Sequence, residues 1–360
     1  MTKGMEAAPV LGTEVFEIAK SLSSAADLDD LLEKIGKAAE RLSNSEASSI
    51  LLLTEDKQNL YFRVASGEGG RAIKTMTLPV GQGIAGAVAQ TKKPELINDP
   101  KSDPRFLGRF DKASGFQTRS LLCVPMIFQN EIVGVLEVLN KREGVYEEKD
   151  VEILSSLASL ACLSVINTKI LSEQKNFFAN MLEILISCIE SARPSMFGHP
   201  ERSARLACAI ARELNIRGQD YRALYYAGLL HDMGYIALKN PRLLELWGVD
   251  RPLESMHPEF SVRMLGGIKI LSGAIPIISQ HHEKFDGTGF PSGARGEEIS
   301  LGARILGLVE AVEELRQAGG TKDEIYVRAL KLAKEGSGTA FDPNVVDAFM
   351  RLMENPEEAW

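Results

Sequence analysis

Strand-like patterns occur in only one window of this chain, residues 48–141, and the chain on either side of it carries helical spacing. SSILLLT and NLYFRVAS form two strand runs around the polar turn EDKQ, and SLLCVPMIF and EIVGVLEVLNK form a second pair around Gln129–Asn130. LPVGQGIAGAVAQ between them reads as glycines followed by a short helix, and PELIND as a brief extended segment. Residues 11–43 are helical in period, with Leu28, Leu31, Leu32, Ile35, Ala39 and Leu42 on one face and Asp27 or a nearby serine as cap. Helix, strand pair, short helix and strand pair predict an α+β domain built on a mainly antiparallel sheet. After residue 147 no run alternates, which predicts an all-α helical bundle.

A chain of 360 residues has room for two or three domains. Its net charge of −8 argues against a nucleic-acid polymer or an anionic membrane as main partner. MTKGMEAAPV lacks a signal-peptide core, and LASLACLSVI is short and broken by serines, so a cytoplasmic protein is expected. Cys123, Cys162, Cys188 and Cys208 are far apart in apolar surroundings and read as reduced core cysteines.

All five histidines, His199, His231, His257, His281 and His282, lie in the helical half, each near the start or end of a helical pattern. His231 continues the face of Leu224 and Ala227, and a histidine on a buried face needs a partner or a metal. The vicinal Asp232 has two oxygens and can bridge two cations. One such histidine alone is better read as a bonded core residue. Five, clustered with an aspartate, favour a multinuclear site for iron, manganese, zinc or nickel.

From Glu147 to about Leu185 the chain reads as one connector helix. Its seam, Val151, Leu154, Leu157, Ala161 and Ile166 continuing through Ile170 and Phe177, drifts from a strict heptad. A parallel dimer helix carrying a signal is favoured slightly over a helix packed on its own domains.

Residues 11–165 resemble a GAF domain in GIAGAVAQTKKPELINDPKSDPRF, TRSLLCVPM and IVGVLEVLNK. Asn140, Lys141, Tyr146 and Asp150 are similar to a signature of cyclic-nucleotide GAF domains, although a surface Lys141–Asp150 ion pair closing the domain is the favoured reading. The resemblance implies a small ligand of unstated chemistry. Haem held by histidine is excluded, because no histidine precedes His199. GQGIAG lacks the lysine and the strand context of a phosphate loop.

Residues 186–353 resemble an HD-GYP domain, a branch of the HD phosphohydrolase superfamily. GHPERSARLA, LLHDMGYIAL, MHPEFSVRML, HHEKFDGTGFP, GEEISLGARILGLVEAVEEL and GTAFDPNVVDAF follow in the family's order. The resemblance implies a cyclic di-GMP phosphodiesterase with a di- or trinuclear centre, commonly iron or manganese, and a diguanylate cyclase (GGDEF) protein as a partner; the connector helix is what predicts a homodimer. His199, His231, Asp232 and Glu310 would hold one metal, and Asp232 would bridge to a second held by His257, His281 and His282. Two cations about 3.5–4 Å apart activate a water and neutralise phosphate oxygens.

The departures are specific. Tyr235 stands where the family has a lysine, Phe290 where it has the GYP tyrosine, and Glu310 where it has an aspartate. Ser195 replaces the carboxylate of trinuclear members, so two metals are expected. RQAGGTKDE and KNPRLLELWGVDRP replace two of the family's usual segments. Asp232 and Tyr235 are the catalytic candidates, and Lys284, Asp286 and Arg304 the substrate-binding ones. Asp286 equally suits the start of its DGTG turn, and surface roles are favoured for Lys239, Arg242 and Lys284. The alternatives are an impaired module that binds a cyclic dinucleotide or a partner protein, and a phosphohydrolase of another nucleotide.

Overall fold

The computed structural model describes residues 28–67, 70–250 and 253–354. The helical spacing read over residues 11–27 and the cap at Asp27 lie outside them. The chain divides into two compact units, Met1–Asn176 and Phe177–Trp360.

In the first unit, helix α1 (Leu28–Leu42) carries Asp29 and Asp30 in its first turn, where carboxylates suit the helix dipole, and buries Leu31, Leu32 and Ile35. Strands β1 (Ser45–Leu53), β2 (Asn59–Ala65), β3 (Thr77–Pro79), β4 (Glu95–Ile97), β5 (Leu121–Phe128) and β6 (Glu131–Lys141) form one antiparallel sheet in the order β3-β2-β1-β6-β5-β4. Gln129 and Asn130 turn β5 into β6 with φ of 47° and 68°, the left-handed pair that a two-residue hairpin needs. One face of the sheet packs with α1 and the long helix over Leu122, Leu136 and Val138. The other packs over Leu51, Phe62, Val135 and Leu121 beneath α2 (Gly70–Ile73), α3 (Gly83–Thr91) and α4 (Arg109–Ser114). The GQGIAG glycines serve this packing, since a Cβ on Gly86 would stand 2.6 Å from the Pro79 carbonyl oxygen. Lys141 pairs with Asp150 at 2.5 Å and Tyr146 reaches Ser45 at 2.8 Å. The pair closes the domain as expected, but both members are largely buried rather than on the surface.

Helix α5 (Glu148–Ala192) runs for 45 residues, past the end expected near Leu185. By length and composition it could cross a membrane, against the sequence reading that no segment approaches a span. Its apolar residues serve two cores. Leu154, Leu157, Ala158 and Ala161 bury in the first unit, and Leu182, Ile186 and Ile189 in the second. Ile170, Leu171, Phe177 and Ile184 stay exposed. Cys188 on this helix is also exposed, which corrects its reading as a core cysteine, while Cys123, Cys162 and Cys208 are buried.

The second unit is helical: α6 (His199–Glu213), α7 (Gly218–Leu230), α8 (Gly234–Leu238), α9 (Pro241–Leu246), α10 (His257–Leu265), α11 (Ile275–Gln280), α12 (Leu301–Gln317), α13 (Lys322–Gly336) and α14 (Pro343–Leu352). Two of these, α9 and α13, begin within the segments KNPRLLELWGVDRP and RQAGGTKDE, where the chain departs from the family. Asn240 caps α9 by accepting from Leu243 N–H, with Pro241 in the first turn. Thr321 and Glu324 form a capping box that starts α13. The core gathers Leu206, Ile210, Leu230, Ile278, Leu306, Val309 and Phe349.

Candidate metal centre

Helix ends bring the histidines together. His199 opens α6, His231 and Asp232 follow α7, His257 opens α10, and His281 and His282 follow α11. Glu310 projects from the middle of α12. Ser261 on α10 ties the turn after α7 in place: its hydroxyl donates to the His231 carbonyl at 2.6 Å and accepts from Gly234 N–H at 2.7 Å. Gly234 has no room for a side chain, because a Cβ would stand 2.0 Å from the His257 carbonyl oxygen.

The donor atoms fall into two groups, His199–His231–Asp232 and His257–His281–His282, each within 4.8 Å. The Nε2 atoms of His199 and His231 are 3.1 Å apart, and Glu310 Oε1 is 3.2 Å and 3.0 Å from them. His257 Nε2 lies 3.2 Å from the Nε2 of both His281 and His282. Ligands about 2.1 Å from one cation are about 3.0 Å apart in an octahedron and about 3.4 Å in a tetrahedron, so this is ligand spacing. Asp232 lies between the groups, with Oδ1 3.5 Å from His231 Nε2 and 3.6 Å from His257 Nε2. Asp232 Oδ2 and Glu310 Oε1 are buried without a hydrogen-bond donor.

The tautomers are set by the backbone. His231, His257 and His281 place Nδ1 at 3.0, 2.7 and 2.6 Å from the carbonyls of Gly228, Glu254 and Ile278. Donating there leaves the Nε2 of His257 and His281 as bare lone pairs aimed at the cluster, while His231 Nε2 faces Glu310 Oε1 at 3.0 Å. Burial holds His281 well below the ordinary histidine range and pushes His257 down to about 4, so both rings are neutral at pH 7. At His199 burial acts the same way, but the Glu310 carboxylate overcomes it and lifts the ring to about 10. Burial opposes the charge on Glu310 too, yet the His231 and His199 rings hold it well below the usual carboxylate range. One group of donors is neutral and the other charge-rich. Such a set of imidazoles and carboxylates, with unaccepted oxygens turned inward, fits divalent cations.

The other sequence candidates separate. Tyr235 is buried, its ring stacked on His257 at 4.4 Å. Phe290 stacks on His282 at 4.7 Å. Lys284 is exposed at the rim of a cavity of about 290 Å³ that also takes in His281, His282 and Glu310. Asp286 Oδ1 accepts from the Thr288 N–H and hydroxyl at 2.9 and 2.7 Å, the contacts of the turn role. Arg304 lines the same cavity, where its guanidinium pairs with Asp342 and donates to the Ile299 carbonyl. Lys239 binds the Ala192 carbonyl, and Arg242 is exposed.

Two residues at the centre escaped the sequence reading. Glu313 is buried between Arg202 and Arg316 at 2.8 and 3.0 Å and faces His199 Nδ1 at 3.7 Å. Its i+3 spacing from Glu310 was the available signal. Arg193, just beyond α5, has its guanidinium carbon over the Tyr235 ring, 4.0 Å from its centroid, with Nη1 3.5 Å from Asp232 Oδ2. Tyr235 has lost the family's lysine charge, and Arg193 brings a cation to the same corner.

Comparison with known proteins supports this architecture. The GAF domain family matches residues 25–163 and the HD domain family residues 183–345. The cyclic di-GMP phosphodiesterase response regulator RpfG of Xanthomonas campestris is 34% identical over 158 residues, covering 42% of this chain and 42% of that protein. The 3'3'-cGAMP-specific phosphodiesterase 3 of Vibrio cholerae is 30% identical over 170 residues, covering 46% of this chain and 37% of that protein. The chain thus spans less than half the length of these relatives. The GAF domain of an Acinetobacter phosphoenolpyruvate-protein phosphotransferase is 20% identical with a TM-score of 0.40, covering 46% of this chain and 98% of that one. The chain thus carries a segment that matches the GAF domain family ahead of one that matches the HD domain family.

Proposed function

We propose that this protein is a metal-dependent phosphodiesterase that hydrolyses cyclic di-GMP to pGpG or GMP, under the control of a small ligand at its GAF domain. The observation that carries the proposal is the pair of donor groups with Asp232 between them. His199, His231, Asp232 and Glu310 would hold one cation, and His257, His281, His282 and Asp232 a second, with iron or manganese suited to imidazole and carboxylate together. Such a pair supplies Lewis acidity and an activated water for in-line displacement at phosphorus.

The chain's own residues do the rest. Carbonyl-bonded Nδ1 atoms fix His231, His257 and His281, and Glu313 faces His199. The Tyr235 ring holds Arg193 in place, and Arg193 offers a phosphate a charged donor beside Asp232. Lys284 and Arg304, both lining the cavity, are the further candidate contacts.

The domain limits 11–165 and 186–353, joined by a connector over 147–185, belong to the same proposal. So do a homodimer through the exposed face of α5, a diguanylate cyclase (GGDEF) partner that supplies the substrate, and a cytoplasmic site of action. The reading as an impaired binding module rests on Tyr235, Phe290 and the pairing of Arg304 with Asp342, and the cation that Arg193 brings weighs against it. Assaying metal-loaded protein with cyclic di-GMP beside 3'3'-cGAMP, and resolving the linear products, tests the proposal. Conversion of cyclic di-GMP to pGpG or GMP is expected. Inert cyclic di-GMP at full metal loading would overturn it.

A further inference from the structure

The first unit encloses a cavity of about 100 Å³ between the sheet and helices α2, α3 and α4. Phe62, Ile84, Phe106, Phe110 and Leu139 make its walls apolar. Glu137 breaks that pattern. It lies mid-strand on β6, on the same face as Val135 and Leu139, with Ser49 and Cys123 opposite it on the neighbouring strands. Ser49 gives its carboxylate a hydrogen bond, and no cation acts on it among the described residues. A carboxylate in an apolar cavity without a cation is unfavourable, and burial pushes this one up to about 7 against the Ser49 bond. A fold with no use for the charge would do better with leucine or glutamine there.

We propose that this cavity binds a small organic cation, an amine with a compact apolar body, whose ammonium group pairs with Glu137. The surrounding rings, with Phe62 and Phe110 edge to face at 5.5 Å, suit both the body and the charge. An engineered cavity of about 150 Å³ holds benzene, so about four or five heavy atoms fit this one of about 100 Å³. The proposal rests on reading the first unit as the ligand-sensing domain, and it is independent of the chemistry at the histidines.

The other titratable groups at the cavity are already committed. Asp111, a lining residue, accepts from the Thr118 N–H and hydroxyl at 2.8 and 2.6 Å, and Arg109, two residues before it, holds the Thr77 carbonyl. Burial keeps the Cys123 thiol protonated.

The test titrates the full chain with isobutylamine, isobutanol and isobutyrate, each to about 10 mM, and reads binding by calorimetry and thermal shift. Isobutylamine should bind at least tenfold more tightly than isobutanol, with no isobutyrate binding, about the value of one charged contact. Its affinity should rise roughly tenfold from pH 6 to pH 8 as a carboxyl of about 7 ionises, while that of isobutanol stays flat. Glu137→Gln should remove the preference for the amine, and the wild-type pH profile stands whether or not that variant folds. Equal binding of amine and alcohol, preference for the acid, no amine binding, a flat amine profile, or an unchanged preference in Glu137→Gln would each overturn the proposal. None of these readouts depends on turnover, so they remain decisive if the phosphodiesterase reading fails.

Discussion

Removing the Arg193 guanidinium should cost the HD domain a phosphate contact without costing it metal. Nη1 of Arg193 is 3.5 Å from Asp232 Oδ2, and the side chain is 26% exposed. Unit charges about 4 Å apart are worth about 4 kcal/mol at an effective dielectric of about 20, and that exposure reduces the figure. A charged hydrogen bond of about 1.5–3 kcal/mol is the realistic value, so Arg193→Ala should lower kcat/KM for cyclic di-GMP roughly 10- to 150-fold. Metal content measured on the same samples should stay at the wild-type level. Tyr235→Lys puts a cation in the same corner while removing Arg193's platform, so alone it should change turnover by less than about threefold. In the Arg193→Ala background it should restore most of the loss. Tyr235→Phe keeps both ring contacts and should lose far less than Arg193→Ala. If Arg193→Ala stayed within about threefold of wild type, or if Tyr235→Lys alone raised turnover tenfold, Arg193 would not be supplying the missing charge.

Three further outcomes are expected. Gly234→Ala forces a Cβ to within 2.0 Å of the His257 carbonyl oxygen, so it should lower both Tm and metal stoichiometry; normal loading would refute the tight turn. Glu137 has a raised folded value, so the unliganded chain should lose stability as pH rises from about 4.5 through 7, by on the order of 3 kcal/mol. Glu137→Gln should flatten that dependence in denaturant melts, and an unaltered slope would refute the burial argument. Phe177, 68% exposed, lies on the proposed dimer face of α5, so Phe177→Glu should halve the particle mass in light scattering; a monomeric wild type would refute the dimer.

The architecture was legible because period separates strands from helices, and because the Gln129–Asn130 turn and the helix-end histidines have local signatures. What escaped was of two kinds. Some signals were present and not used. The T-x-x-E of Thr321 and Glu324 marks the start of α13. The period-2 alternation of β6 already puts the charged Glu137 on the apolar face of Val135 and Leu139. Other features have no local signature. Nothing near Arg304 in sequence announces that Asp342 will neutralise it, and nothing near Arg193 announces that it will lie on Tyr235. Each pairing comes from chain packing across tens of residues. A sequence shows the charge of a side chain and leaves its partner open.

The most direct test measures metal stoichiometry and cyclic di-GMP turnover on the same anaerobically purified samples of wild type and Asp232→Ala. The expected result is about two metals per chain with hydrolysis in the wild type, and loss of both in the variant. Hydrolysis by Asp232→Ala at wild-type metal content, or none by a fully loaded wild type, would contradict the assignment of this site.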